Sequence, residues 1–171
     1  MLVHVRGTVQ TYHVRMSTFT VSRSALIPAP PSAIFPLVND FHEWTKWSPW
    51  EAMDPNLSRS YSGPESGVGA KYEWTGNNKV GSGNMEIVGS DEPSRVRIRL
   101  EFIKPFKGVN PTVFTFVPEG GATRVTWAMT GENKTLLSKL FSLVMNMDKM
   151  VGKDFEKGLA SLSVEAVKRK S

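Results

Sequence analysis

The sequence predicts an α+β domain in which a curved antiparallel sheet of about seven strands wraps around one long C-terminal helix. Three observations support this prediction. Residues 147–168 carry apolar side chains at steps of three and four, the period of a helix with one buried face. Several earlier segments alternate between apolar and polar residues, as strands with one solvated face do. Short turns rich in Gly, Pro and Asn separate those segments, which is typical of an antiparallel meander.

The rest of the chain is organised around the long helix. Its predicted buried face consists of Met147, Val151, Phe155, Leu159, Leu162 and Ala166. At about 1.5 Å per residue the helix spans about 30 Å, enough to cross a small domain. Gly152 and Gly158 interrupt it at a cost of about 1 kcal/mol each relative to Ala. They indicate either close approach of another backbone or space left unfilled. Residues 136–145 form a shorter amphipathic helical turn that leads into it.

One strand and two short helices are predicted before the main sheet. Ser17–Ile27 is rich in β-branched residues and forms the first strand, which a group of prolines ends. Two short helical segments follow, over residues 31–38 and 41–47. Pro36 lies inside the first of them. It is expected to kink or break that helix, because proline removes a helical hydrogen bond.

Six further strands are predicted, over residues 57–61, 70–75, 80–88, 95–102, 112–117 and 123–130. The alternation is clearest in the fourth of these, where Val96, Ile98, Leu100 and Phe102 share one face. In the fifth, Val113 competes with Phe114 for the inward position, and we assign Phe114 inward. Residues 104–111 contain two prolines and are expected to form a turn. Gly131 is expected to end the last strand.

Composition is that of one ordinary globular domain. A chain of 171 residues with 40% hydrophobic and 10% aromatic residues can form a single core. We therefore predict one domain over 17–171, preceded by a flexible extension over 1–16. Met16 is an alternative start to Met1, and the sequence alone does not decide between them.

The net charge of +5 comes from the two ends of the chain. Arg6 and Arg15 lie in the extension, and three more basic residues lie at 168–170. The remaining sixteen basic residues are matched by sixteen acidic ones, so the body of the domain is neutral. Basic ends alone do not favour nucleic-acid binding, and no such partner is predicted.

Several function classes lack support in the sequence. Cysteine is absent, so disulfides and thiolate chemistry are excluded. No apolar run is long enough to span a membrane and no signal peptide is evident, so a cytoplasmic protein is expected. No nucleophile elbow or dinucleotide-binding loop is present, and no cofactor is expected. Asp40 and His42, two residues apart, would not share a helical face, so no metal site is predicted. The oligomeric state is not indicated.

The order of elements, together with several short motifs, resembles the helix-grip fold of the SRPBCC superfamily, which includes START lipid-transfer domains and polyketide cyclases. The motifs are IPAP at 27–30, IF at 34–35, LVND at 37–40, Trp44, WSPW at 47–50, the glycine-bounded turn at 63–69 followed by YEW at 72–74, and TRVTW at 123–127. The chain is most similar to the polyketide cyclase/dehydrase type over about residues 18–168. Some relatives carry a hydrophobic N-terminal anchor, which this sequence does not show.

The resemblance implies a deep, mainly apolar cavity between the sheet and the last helix. The residues compatible with lining it are Trp44, Trp47, Trp50, Tyr72, Trp74, Met85, Ile98, Phe102, Phe114, Trp127, Met129, Met147, Val151 and Phe155. The three residues Trp44, Trp47 and Trp50 lie where relatives have a lid, and contact with a ligand and plain packing are equally open for them. For any single residue of the lining, an ordinary place in the core is the simpler explanation.

Binding of a hydrophobic or aromatic small molecule, lipid or polyketide-like, is the predicted function. One alternative is an aromatase/cyclase-type enzyme. Tyr72 is the candidate participant, because it has a transferable proton and is expected to point inward; no catalytic residue is assigned. A second alternative is a protein-interaction module of the chaperone-activator kind, as in some relatives. The sequence shows no catalytic constellation, so whether a reaction is catalysed stays open, and a non-catalytic binder is preferred.

Overall fold

The computed structural model describes residues 17–105, 107–133 and 140–170, and for residues 17, 133 and 140–147 it describes the backbone only. These described residues form seven strands and two α-helices, with a short 3₁₀ helix after the first α-helix. The predicted extension at 1–16 and residues 136–139 of the predicted helical turn lie outside the described residues. The α+β helix-grip prediction is confirmed: the strands form one curved sheet, and the long helix α2 packs across it.

All seven strands pair antiparallel in the order β1-β7-β6-β5-β4-β3-β2. The strands are β1 (Ser17–Ile27), β2 (Ser58–Ser62), β3 (Lys71–Thr75), β4 (Ser82–Asp91), β5 (Arg95–Lys104), β6 (Gly108–Glu119) and β7 (Ala122–Asn133). Strands β2 to β7 follow one another in the sheet as they do in the sequence, and β1 closes it beside β7. The strands alternate as predicted. Their apolar residues point to the concave side of the sheet and most of their charged residues to the convex side.

Two strand boundaries were predicted wrongly. Residues 104–111 were expected to be a turn, but β6 already begins at Gly108 and includes Pro111, which faces solvent. The last strand does not end at Gly131, since β7 continues to Asn133. A side chain at Gly131 would overlap the Phe19 ring and the Asn110 amide, so the glycine serves close packing between strands and does not stop the strand.

The helix α1 (Pro31–Asn39) continues through Pro36, so of the predicted kink or break the break does not occur. Pro36 lies on the exposed side, and so does Ser32, whose carbonyl loses its helical partner. Because that carbonyl lies on the exposed side, water can satisfy it. The opposite side of α1 is buried, and Phe35 packs edge-on against Phe116 of β6 with the ring centroids 5.7 Å apart.

A 3₁₀ helix (Phe41–Lys46) follows α1, where a short helical segment was predicted over 41–47. Asp40 caps it by accepting a hydrogen bond from the backbone N–H of His42 at 2.9 Å. The indoles of Trp44 and Trp47 donate to the carbonyls of Val38 and Leu37 at 3.0 and 2.8 Å. Carbonyls in the last turn of a helix have no partner within it. These two tryptophans therefore fasten the 3₁₀ helix to the end of α1.

The helix α2 (Leu140–Lys168) is a single helix of 29 residues, longer than the predicted 147–168. The predicted turn before it is continuous with it from Leu140 onward. Phe155, Leu159, Leu162 and Ala166 are buried as predicted, and Val151 is half-buried. Within the described residues, α2 packs mainly on β1 and also touches β7, α1 and the 3₁₀ helix.

The two glycines of α2 lie opposite a cross-strand pair, Arg23 of β1 and Trp127 of β7. A Cβ atom on Gly158 would lie 2.8 Å from Trp127 Cζ3 and 3.1 Å from Pro49 Cδ, and one on Gly152 would overlap the Arg23 guanidinium. Arg23 also bonds Asp148 and Glu156 of α2 at 3.2 and 3.0 Å. The glycines therefore permit close approach of side chains. The alternative of unfilled space is wrong at both positions.

Replacing Gly158 by Leu is expected to lower the free energy of unfolding by about 1–3 kcal/mol, because the added side chain overpacks the contact with Trp127. Lys153→Leu, on the exposed side of the same helix, is the matched control and should change stability by about 0.5 kcal/mol or less. Urea unfolding followed by circular dichroism measures both. Equal stability of the two variants would contradict the close packing at Gly158.

Candidate functional site

The concave face of the sheet, closed by α2, is almost wholly apolar. Its innermost positions on β5 change in burial along the strand: Val96 and Ile98 are fully buried, whereas Leu100 and Phe102 are only half-buried. Phe19 on β1 and Val151 on α2 are half-buried as well. Large apolar side chains on an inward face thus keep accessible surface toward the end of the sheet that carries Phe102.

The other end of the interior is filled by six aromatic rings, which we call the aromatic cluster. Its members are Trp44, Trp47, Trp50, Phe114, Trp127 and Phe155. Trp127 is the centre: Phe155 stacks on its indole at 4.0 Å and Phe114 at 4.8 Å between centroids. The three other tryptophans meet it edge-on. The cluster is therefore closely packed in this conformation, and the interior is not vacant beside Trp127.

The tryptophans at 44, 47 and 50 differ in burial and in their contacts. Trp44 and Trp47 are buried and bonded to α1, so they are part of the packing that closes this end of the sheet. Trp50 is half-buried and lies edge-on to both Trp127 and Phe155. Burial raises the pKa of the nearby Asp154 carboxyl group on α2, and the Trp50 side chain lowers it in part. Of the three, Trp50 is the least buried.

Tyr72 belongs to a second group of rings, with Trp74 stacked at 6.0 Å and Phe102 edge-on to Trp74 at 6.1 Å. Phe41 connects the two groups, since its ring contacts both Trp44 and Tyr72. The sequence analysis did not single out Phe41. Its position could have indicated this role, because Phe41 is the apolar residue at the start of the 3₁₀ helix, ahead of Trp44.

The Tyr72 hydroxyl donates a hydrogen bond to Glu51 Oε1 at 3.2 Å, and Arg59 Nε donates to Glu51 Oε2 at 2.7 Å. The Glu51 side chain is only 11% exposed. Burial, followed by the nearby Glu51 carboxylate, raises the pKa of Tyr72 above its usual range. Tyr72 is therefore protonated at neutral pH, and its proton is engaged by Glu51. Sequence reasoning missed this network because Glu51 and Arg59 lie outside regular alternation.

Two concavities open to solvent near the interior. One, of about 810 Å³, lies between residues 45–52 and α2, and Trp47 and Pro49 form part of its wall. The other, of about 170 Å³, is lined by Phe41, His42 and Tyr61 among others. There His42 Nδ1 lies 2.7 Å from Asp40 Oδ1, and the ring stacks on Tyr61 at 4.1 Å. The side chains of Asp40 and His42 meet without sharing a helical face, because Asp40 is the helix cap.

The structure places most of the predicted lining on the concave side. Buried there are Trp44, Trp47, Tyr72, Trp74, Met85, Ile98, Phe114, Trp127, Met129 and Phe155; half-buried are Trp50, Phe102 and Val151. The side chain of Met147 lies outside the described residues. Phe114 is fully buried and Val113 is not, so the inward assignment of Phe114 holds. What the structure adds is the division of the lining into a packed end and a half-buried end.

Comparison with known proteins assigns the family. A family model described as polyketide cyclase / dehydrase and lipid transport matches residues 18–166. The chain belongs to this family. The family description names both enzymes and lipid carriers, so it does not by itself decide between catalysis and binding. No curated protein gives a significant match to the sequence.

Solved structures from other organisms share the fold. A protein of unknown function from Staphylococcus aureus is 11% identical, with a TM-score of 0.66 over 91% of this chain and 98% of its own. A protein from Thermus thermophilus is 21% identical, with a TM-score of 0.60 over 89% and 99%. Ara h 8.0201 is 13% identical, with a TM-score of 0.58 over 89% and 99%. At these identities the likeness concerns the fold alone.

Two further findings bear on possible partners. Among the helices of residues 17–105, 107–133 and 140–170, none is long and apolar enough to cross a membrane. In that same part of the chain, no three His, Asp or Glu side chains are grouped so that they could hold a metal ion.

Tyr72 gives a pH-dependent prediction. The unfolded hydroxyl has a pKa of about 10, and the folded one has a higher pKa. The native state therefore holds this proton more tightly. Its contribution to stability is complete below about pH 10 and is lost as the pH rises above it. Alkaline titration of tyrosinate absorbance, with circular dichroism in parallel, should show Tyr72 ionising only on unfolding. Tyr72→Phe should remove the ionisation of Tyr72 from the titration. Ionisation of Tyr72 near pH 10 in the folded protein would contradict the prediction.

Proposed function

We propose that this protein binds a hydrophobic or aromatic small molecule, lipid or polyketide-like, between the concave face of the sheet and α2. The observation that carries the proposal is the half-buried state of Phe102, Leu100, Phe19 and Val151 on that inward side. Apolar surface left in contact with water costs about 25 cal/mol per Å². A ligand that covers these side chains recovers that free energy, which is how mostly apolar pockets obtain affinity.

The packed aromatic cluster determines how such a ligand would reach the interior. Near Trp127 the rings are in contact, so binding there requires displacement of a ring. Trp50 is the least buried member of the cluster and belongs to no helix or strand. The open groove beside residues 45–52 is lined by its chain neighbours Pro49 and Glu51. We therefore place the route of entry at the segment that carries Trp50.

Ligand binding is better supported than the cyclase alternative. A cyclase would need an acid or base with a free proton or lone pair in the interior. The Tyr72 hydroxyl already donates to Glu51, which Arg59 also binds. A substrate would have to compete with that carboxylate for the tyrosine proton.

Organic extraction of the purified protein, followed by mass spectrometry, identifies any molecule that co-purifies. A parallel titration of tryptophan fluorescence with fatty acids and polycyclic aromatic compounds tests binding directly, because Trp50 and Trp127 border the proposed site. At least one compound class should change the emission saturably. If nothing is extracted and no compound of the panel binds, the proposed function is wrong.

A matched pair of variants on β5 tests where the ligand lies. Phe102→Glu places a charge on the inward face and should weaken binding of the best compound about tenfold or more, since burying a charge against an apolar ligand is costly. Ile103→Glu adds the same charge to the next residue, which faces outward and is 43% exposed. It should leave the affinity within about twofold, as surface changes usually do. Equal effects of the two variants would exclude the concave face as the site.

A further inference from the structure

Trp127 carries a hydrogen-bond donor that nothing in the described chain satisfies. Its side chain is 2% exposed, and across residues 17–105, 107–133 and 140–170 its Nε1 is the buried side-chain nitrogen or oxygen without a partner. The exception is informative because buried polar groups are almost always hydrogen-bonded. An unpaired N–H loses its bonds to water on folding and gains nothing in return.

Three of the other tryptophans have a hydrogen-bond partner. Trp44 and Trp47 donate to backbone carbonyls of α1, and Trp74 donates to the Val80 carbonyl at 3.3 Å. The fold thus pairs the indole N–H of these three buried tryptophans and leaves that of Trp127 unpaired. At position 127 a phenylalanine would supply the same stacking without an unpaired donor.

The location of Trp127 connects this donor with the proposed site. Trp127 is inward-facing at the centre of the aromatic cluster, and its Cζ3 edge lies against Gly158 of α2. Nε1 is on the opposite edge of the indole, away from that glycine. The buried polar side chains of β6 do not accept from it: Asn110 Nδ2 and Thr112 Oγ1 donate to the carbonyls of Thr130 and Asn110, and neither residue is a partner of Nε1.

We propose that Trp127 Nε1–H is the specificity-determining donor of the binding site, and that it selects planar polycyclic ligands that carry an acceptor oxygen such as a ketone. This inference rests on the proposed function and names its ligand class. Stacked rings around Trp127 favour a flat molecule. A site with a buried, unpaired donor discriminates strongly in favour of the ligand that pairs it.

The atom Nε1 is inaccessible in this conformation, so an acceptor reaches it only after a neighbouring ring moves. Trp50 contacts Trp127 edge-on and is the half-buried ring of the cluster. Displacement of Trp50 opens the space beside the indole. The ligand oxygen then replaces no existing partner of Trp127, which is why pairing adds to the affinity.

Fluorenone and fluorene are the matched probes, because they share one flat tricyclic skeleton and differ in a ketone oxygen. Wild-type protein should bind fluorenone at least about fivefold more tightly than fluorene, the lower range for satisfying a buried donor. In Trp127→Phe the two affinities should become equal within about twofold. Trp47→Phe, which removes an indole already bonded to Leu37, should weaken both probes by the same factor and leave their ratio unchanged.

If Trp127→Phe does not fold, nuclear magnetic resonance of the wild-type protein with nitrogen-labelled indoles tests the same role of Trp127. In the wild type, the Trp127 Nε1–H proton signal should move downfield with fluorenone and not with fluorene. If both probes bind with equal affinity and the signal does not distinguish them, the role of Trp127 is wrong while ligand binding stands. If neither probe nor any compound of the wider panel binds, both proposals are overturned.

Discussion

Docking of α2 on the cross-strand pair Arg23 and Trp127 is the constraint on which the rest of the structure depends. Gly152 makes room for the guanidinium, Gly158 makes room for the indole, and Phe155 between them stacks on that indole. Asp148 and Glu156 hold Arg23 from the same helix. Because the helix meets the sheet through these contacts, the position of Trp127 determines which rings can pack around it. The aromatic cluster is the consequence.

The interior has two parts with different physical character. At the end near the 3₁₀ helix, rings are packed at van der Waals distance, and Trp127 Nε1 is the buried polar atom without a partner in the described structure. At the other end, Leu100 and Phe102 stay half-buried on an apolar face. Phe41 and Tyr72 join the two parts. A molecule that covers the second part comes into reach of the first when Trp50 moves, and the unpaired donor of Trp127 then gains a partner.

Most of the fold could be predicted from the sequence, because hydrophobic periodicity records which side of each element is buried. The inward residues of β5 and β7 were located this way, whereas β1 was located by its β-branched residues. The errors came from residues whose effect depends on tertiary contacts. Pro36 is tolerated because its side of α1 faces solvent. The helix glycines accommodate Arg23 and Trp127, which no local pattern reveals.

The candidate site was predictable as a set of apolar residues and not as an arrangement. Alternation placed Trp127 and Phe102 on the same face, but it could not show that one is packed and the other half-buried. Polar networks such as Glu51 with Tyr72 and Arg59 join residues from a loop and two strands. Their members carry no spacing signal, because partners are selected by proximity in the folded chain. The unpaired donor of Trp127 is a property of the packed interior alone.

Gly152 and Gly158 form two notches on α2, and these also limit how the helix can move. They lie six residues apart, about 9 Å along the axis, and each accepts one particular side chain of the sheet. Sliding of the helix along its axis would carry both glycines away from these side chains and bring flanking helix atoms against them. The two notches therefore fix the axial register of α2 on the sheet.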